Sequence, residues 1–466
     1  MLPKLPPGSL STHEWRFGLV ISSVHGVQHL FYRLFPPLIP ILVIGLDSPL
    51  WQLGSLVSIY LFAGGLGQAP MGILVDKFDR QYILLPAIGL MSVGYLLFVL
   101  GSAVGPAFPA VELFGHSFSG TYQIMAGGMF VAGVGYSGIH PVGYPLISAN
   151  ISAEGKATVL GMWGSASKLG DTLAPLLIGG LILVVPWEWI LVGVSLFGFV
   201  YASWLWLVFR ASDIETRPPS ALGEASAGGS SRASTGRSSR DSSGAAGGSW
   251  RANPRQFLYP MVTILLAFCF ILFATNGLIT FAPVFITDVY GYSLSVGDLV
   301  IPSESVANAY FSVLLLSGAL SQLLVGAVAK RFDYRLLLIG LLALTTAGLA
   351  VLAVRQLTPV VLVAVFALVG ACLFGINPIR DALISDITPP AYEGRTFGYF
   401  WTIVLLVSSG YPLVIGYLGD TVGIQASFQY LAAGTLVGIA GIALLYSPRL
   451  YRQRTSTAAE TEPERQ

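Results

Sequence analysis

Twelve runs of mostly apolar residues, at about 16–44, 50–74, 81–103, 119–148, 157–185, 187–209, 256–288, 303–329, 334–356, 358–387, 395–418 and 424–447, leave this chain few folds to choose from. A helix needs roughly 20 such residues to cross a bilayer. In lipid every backbone N–H and C=O must be satisfied within the protein, so runs of this length predict helices. Composition agrees. The 466 residues are 54% hydrophobic and 10% charged, against about 25% charged in an ordinary soluble domain. The expectation is an all-α polytopic membrane protein whose one extended partner is the lipid bilayer. The net charge of +1 comes from dispersed basic residues, which excludes a nucleic-acid surface. Cys269 and Cys372 lie inside apolar runs, and no disulfide is expected. The first apolar run is too long for the core of a signal peptide.

Basic residues set the orientation. Lys4, Arg16, Lys77, Arg80, Lys156, the many arginines from Arg210 to Arg255, Lys330, Arg331, Arg335, Arg395 and the tail from Arg449 to Arg465 all fall on one side of a twelve-span chain. The opposite loops hold Asp47, Glu112, Glu188, Asp288, Asp298, Glu304 and Asp420, with Arg355 their one cation. Both termini are therefore expected in the cytoplasm, with the protein in the cell (plasma) membrane. Residues 211–255 are rich in Ser, Gly, Ala and Arg and have too little apolar content to fold, so they read as a flexible cytoplasmic linker. The expected organisation is a six-helix half over 1–210, the linker, a second six-helix half over 256–448, and a cytoplasmic tail over 449–466.

The two halves repeat one another. Gln68…Gly72…Phe78-Asp79 returns as Gln322…Gly326…Phe332-Asp333, always 254 residues on. Gly138-Ile139-His140-Pro141 returns as Gly375-Ile376-Asn377-Pro378, and Pro175…Ile178-Gly179 as Pro412…Ile415-Gly416, both 237 residues on. Spans two, four and five thus match eight, ten and eleven, a parallel six-plus-six duplication.

With these residues in view the chain resembles the major facilitator superfamily, above all in Gly72-x-Leu74-x-Asp76-Lys77-x-x-Arg80 after span two. The resemblance covers nearly the whole chain. Asp79 stands where that pattern usually has Gly, and Lys330 replaces the acid in the second copy. Within the superfamily, His29-Leu-Phe-Tyr-Arg33…Pro36-Pro37 and His140-Pro141 look like the fosmidomycin-resistance type of efflux protein. What this implies is drug or metabolite efflux; a monomeric secondary transporter working by alternating access is expected.

Ionisable residues inside the spans are the functional candidates. Each costs about 2.5–3.5 kcal/mol at the bilayer centre, so Arg33, Lys168 and Asp171 are expected to face one another or a wet cavity. His25, His29 and Arg33 lie at i, i+4 and i+8 on span one, a narrow stripe. Lys168 and Asp171 sit at i and i+3 on span five, within pairing range. In the repeat, His140 aligns with Asn377, Lys168 with Leu405 and Asp171 with Ser408, so the charge is confined to the first half although the fold is shared. The expected coupling and substrate cavity is His25, His29, Arg33, His140, Lys168 and Asp171, with Asn276 and Asn377 as polar additions. Gly72, Asp76, Lys77 and Arg80, their echoes Gly326, Lys330, Arg331 and Arg335, and the pair Arg380 and Asp381 read as a cytoplasmic gate. No metal-ligand spacing and no Ser–His pair is visible, so neither a metal nor a cofactor is expected, and the protein is not expected to be an enzyme. The leading expectation is proton-coupled efflux of a small organic molecule or drug, with protons and that small molecule as ligands. An uptake permease for a metabolite or organic anion, and a non-transporting membrane sensor, stay open.

Overall fold

The structure, a computed structural model, describes residues 10–218, 257–388 and 393–448. Most of the expected linker (219–255) and the tail (449–466) lie outside the described residues. The helices are α1 (Thr12–Tyr32), α2 (Ile39–Gly45), α3 (Leu50–Val75), α4 (Gln81–Val104), α5 (Gly120–Asn150), α6 (Ala153–Leu181), α7 (Trp187–Ala211), α8 (Leu258–Val289), α9 (Ser303–Val328), α10 (Tyr334–Val354), α11 (Pro359–Ile387), α12 (Glu393–Ser408), α13 (Tyr411–Val422) and α14 (Ile424–Leu444). Ten segments, counting α1 with α2 and α12 with α13 as single spans, are long and apolar enough to cross a membrane. The other two, α5 and α6, are just as long at 31 and 29 residues, and they carry the polar residues of the candidate site. Twelve crossings result, and the described ends near 10, 218, 257 and 448 come to one side, called here the terminal side.

Two expected spans are broken. Span one stops at Tyr32, and Arg33 caps it with φ −96° and ψ 3°. Pro36 and Pro37 then open a short 3-10 turn before α2. Proline lacks an N–H and clashes with the preceding turn, so the ladder cannot run through the pair. Tyr95 Oη donates to the Phe31 carbonyl at 2.7 Å, satisfying a group beside the break. Span eleven parts between Ser408 and Tyr411, just before Pro412. Its repeat mate α6 runs unbroken through Pro175. The shared proline therefore does not dictate the break; the first half has Leu173 where the second has Gly410, a poor helix former.

Two short antiparallel hairpins lie opposite the terminal side: β1 (Val111–Leu113) with β2 (His116–Phe118), and β3 (Leu294–Val296) with β4 (Leu299–Ile301). Three-residue strands are too short to leave a period-two signal in the sequence. Their turns are marked instead by positive φ at Phe114, Gly115 and Gly297.

Within the first half α1 packs on α6 and α5 on α3 and α4; within the second, α9 packs on α11, and α14 on α8 and α10. The halves close on each other away from the terminal side. There α3 meets α13, and α6 meets α9. The α3 start is capped from the other half: Asp420 accepts from Leu50 N at 2.9 Å and Trp51 N at 2.8 Å. Pro49, at the N-cap, offers no side-chain oxygen, so Asp420 supplies the acceptor a helix start needs. Gly54 lets the backbones touch, since a Cβ there would collide with the Pro412 carbonyl. Asn308 Nδ2 donates to Pro37 O at 3.3 Å across the second seam.

Candidate functional site

Two devices fix α1 against α6. Ser11 and Glu14 form a capping box at the α1 start, and Glu14 also accepts from Ser152 N, the N-cap of α6, at 2.8 Å. Farther along, a Cβ on Gly170 would collide with the Gly26 carbonyl, so only glycine allows this approach. Register and distance being set, the next residue, Asp171, faces the α1 stripe.

Asp171 is the hub. It is 2% exposed and meets three groups: Arg33 Nε at 2.8 Å and His29 Nδ1 at 3.0 Å, both on Oδ1, and Lys168 Nζ at 3.4 Å on Oδ2. A buried carboxylate needs such partners, because taking a charge out of water costs several kcal/mol. Arg33 also lies 4.3 Å over the Tyr32 ring. Tyr32, Tyr60 and Tyr136 pack together with centroids 5.3–5.8 Å apart.

A second layer sits beside the hub. His25 Nδ1 lies 2.7 Å from Trp163 O, and its ring stacks on that indole at 4.2 Å. His25 Nε2 is 3.2 Å from His140 Nε2, and Gln28 Nε2 is 3.2 Å from His140 Nδ1 and 3.1 Å from Tyr136 O. The histidines come from spans 115 residues apart, so no local spacing in the sequence brings all three together.

Six of the eight expected cavity residues thus meet: His25, His29, Arg33, His140, Lys168 and Asp171. Asn276 has a backbone role, donating to Ser408 O at 3.1 Å where span eleven breaks. It also lines a small cavity between the halves with Tyr32, Arg33, Tyr60, Tyr95 and Thr280. The Asn276→Leu variant is expected to lose about 1–3 kcal/mol, the cost of an unsatisfied buried carbonyl, measurable as a lower melting temperature. Asn377 belongs to a separate cluster in the second half. It accepts from Arg380 Nη1 at 3.0 Å, while Arg380 Nε meets Asp381 at 2.9 Å and its guanidinium stacks 4.5 Å from Trp401. Gln28, Tyr60 and Trp163 escaped the sequence reading. Gln28 falls between His25 and His29 on span one; Tyr60 and Trp163 carry no sequence signal of their own.

The expected gate residues brace their own halves. Asp76 caps the end of α3. Arg80, 5% exposed, reaches Pro145 O at 3.4 Å, and its N–H donates to Thr216 O at 3.0 Å. The segment expected to open the linker is tied down here too, with Glu215 and Asn150 exchanging two hydrogen bonds. Burial lowers the Arg80 pKa, opposed by Asp76, Glu215 and Asp79. Around Gly72 nothing would obstruct a Cβ, and Gly326 stands 3.6 Å from Pro378 by the same measure. Lys77 is exposed, as is Arg331. The Lys330 side chain lies outside what the structure describes.

In the second copy Asp333 caps α10, accepting from Arg335 N at 2.8 Å and pairing with Arg335 Nη2 at 2.6 Å, while Arg335 Nη1 reaches Leu445 O at 3.1 Å. The side-chain hydrogen bond from Arg335 leads the causes that lower the Asp333 pKa. A carboxylate depressed on folding stabilises the native state above its unfolded pKa, near 3.9, and loses that contribution as pH falls through the folded value. Wild-type stability is therefore expected to fall below about pH 4 more steeply than in Asp333→Asn, compared by melting temperature across a pH series.

The bundle thus has two halves, with a buried ion network in the first half between α1, α5 and α6. A family model described as Major Facilitator Superfamily matches residues 21–302 and 301–465, and the chain belongs to that superfamily. It is thus a member of a transporter family and not an enzyme. A curated relative, the probable L-galactonate transporter of Escherichia coli (strain K12), is 21% identical over 159 residues. That match covers 34% of this chain and spans 31% of the relative's length. Among solved structures, a D-xylose-proton symporter superposes with a TM-score of 0.71 at 12% identity, over 95% of this chain and 99% of its own. A bacterial homolog of the human lysosomal transporter Spinster, in an inward-facing and occupied conformation, gives 0.70 at 15%, over 95% and 98%.

Proposed function

We propose that this protein carries a small organic anion across the cell membrane by alternating access, coupled to protons. The observation that carries the reading is the charge balance at Asp171: two basic side chains, Arg33 and Lys168, share one carboxylate. Among the described residues one positive charge is left over beside a cavity that Arg33 and Tyr60 line, and Tyr60 Oη is buried without a partner among them. That cavity, about 20 Å³, has room for about one water; an anion that reaches Arg33 and Tyr60 as the halves move apart is met by a cation and a hydroxyl.

The same balance gives coupling a sign. An anion on Arg33 and Lys168 draws both cations off Asp171, which leaves that carboxylate free to take a proton. Proton and anion then favour each other, and by linkage the preference is reciprocal. Mutual preference is the thermodynamics of co-transport, driven inward by an acidic exterior. Export by exchange needs the two ligands to compete. The resemblance of His29, Arg33 and His140-Pro141 to efflux proteins of the fosmidomycin-resistance type favours that second reading. With the terminal side placed in the cytoplasm, the closed seam is the outer one, so the structure represents an inward-facing state.

Proteoliposomes with an imposed pH gradient decide, using a panel of sugar acids, phosphonates and neutral drugs. An acidic exterior should drive anion accumulation in the wild type and not in Asp171→Asn. Proton-driven expulsion selects the export reading. Flux indifferent to the gradient, or unchanged in His29→Ala and Asp171→Asn, rejects proton coupling at this site.

A further inference from the structure

We propose that His25, His29 and His140 form a binding site for a divalent transition-metal ion of the zinc class. One nitrogen from each ring lies within 4.8 Å of one from each of the others. Two imidazole nitrogens on a tetrahedral ion, with bonds of about 2.0–2.1 Å, stand about 3.3 Å apart. His25 Nε2 and His140 Nε2 already hold nearly that spacing, at 3.2 Å. Taken over one nitrogen from each ring, the widest gap has to close by about 1.5 Å at most to complete the set. The rings cross at 90°, 88° and 70°, so they approach a common centre from different directions rather than stacking.

Hydrogen bonding settles which nitrogens are free. Trp163 O can only accept, so His25 carries its proton on Nδ1 and keeps a lone pair on Nε2. The Asp171 carboxylate accepts from His29 Nδ1, which leaves the His29 lone pair on Nε2. A metal-bound histidine usually donates its second N–H to a carboxylate or a backbone carbonyl, and two of these three already do. The third is the reverse. Gln28 Nε2 donates into His140 Nδ1, so the His140 proton sits on Nε2 and points at His25 Nε2. An ion would take the place of that proton. His140 Nδ1 would then become a donor, and Gln28 Oε1, fully buried and without a partner among the described residues, becomes its acceptor when the amide turns and gives up Tyr136 O.

Arg33 and Lys168 oppose a dication. Asp171, which holds them both, is joined to the triad through the His29 ring, so the carboxylate offsets their field and raises the donor strength of His29. Three neutral imidazoles with no cluster of oxygen donors select Zn²⁺, Co²⁺, Ni²⁺ or Cu²⁺ over Mg²⁺ and Ca²⁺. A tetrahedral ion would keep a fourth position for water. The inference rests on ring geometry and hydrogen bonding, and holds whatever the cargo and whichever way it moves.

The test uses the full chain, purified on a tag without histidine, stripped with chelator and placed in nanodiscs. Co²⁺ is titrated by its visible absorption and displaced with Zn²⁺, and a zinc-edge X-ray absorption spectrum is recorded on the wild type. We expect one ion per chain with three imidazole ligands. His25→Gln, His29→Gln and His140→Gln should each weaken Co²⁺ binding at least about tenfold, and Asp171→Asn by about 10–100-fold. The double variant His13→Gln/His116→Gln, which removes the remaining two of the five histidines, should bind as the wild type does. No saturable Co²⁺ binding, a zinc spectrum with fewer than three imidazoles, or binding lost in the His13/His116 variant overturns the site. The spectrum needs no variant, so a misfolded substitution does not shield the proposal.

Discussion

Asp171→Ala is expected to destabilise the folded protein by about 3–5 kcal/mol, the typical cost of removing one partner of a buried ion pair. The reason is what remains. Arg33 is 6% exposed and always charged, and Asp171 is its carboxylate partner. Most of the loss is thus the penalty of a stranded cation, not the worth of the attraction. It follows that Asp171→Ala combined with Arg33→Leu should recover much of the stability while transport stays lost. A melting-temperature cycle over the two single variants and the double measures this. A double variant as unstable as the sum of the singles would mean that the pair is not coupled in the folded state.

Gly54→Val is expected to leave each half folded and to prevent the halves from closing on the side away from the termini. The obstruction is backbone against side-chain root: a Cβ at 54 collides with the carbonyl carbon and oxygen of Pro412. No rotamer relieves such a clash, and overpacking typically costs about 1–3 kcal/mol, more when backbone must move. Since a tenfold change in population corresponds to about 1.4 kcal/mol, the state closed on that side should fall about tenfold to a hundredfold, and transport with it. Spin labels at positions 52 and 417, which lie on the two sides of this seam, should report a longer distance in the variant. An unchanged distance together with normal transport would refute the reading. Asp420→Ala acts on the same seam more gently, removing two hydrogen bonds at the α3 start, and is expected to give a smaller shift in the same direction.

The span count and the two halves were legible because each rests on local facts: apolar length, and motifs returning at fixed offsets. The stripe on span one was legible for the same reason, since a step of four residues keeps a helical face. Asp171 was found from its own helix, through Lys168 at i+3, and its approach to Arg33 was expected from the cost of leaving either charge in lipid; that His29 and Arg33 would meet on the same oxygen was not visible. That sharing depends on Gly26 and Gly170 letting two backbones touch. The breaks at Arg33 and at 409–410 were hidden because both lie inside apolar runs that read as continuous. Asn276 was read as a polar cavity residue; its bond to Ser408 O appears only once the break is known. Asp420 was placed on the correct side as a loop acid, yet its part as the cap of a helix 370 residues earlier in the chain is a property of the closed seam.

One consequence follows from the confinement of the ion network to the first half. Every member of it, from His25 to Asp171, is carried by α1 and its C-cap Arg33, α5 and α6, whereas the positions matching His140, Lys168 and Asp171 in the second half hold Asn377, Leu405 and Ser408. On the proposed function, ion sensing would be a portable trait of one module. In a chimera that joins residues 10–218 to the second half of another family member, the ion dependence should travel with the donor of the first half, and the other parent should govern only how tightly the seam shuts.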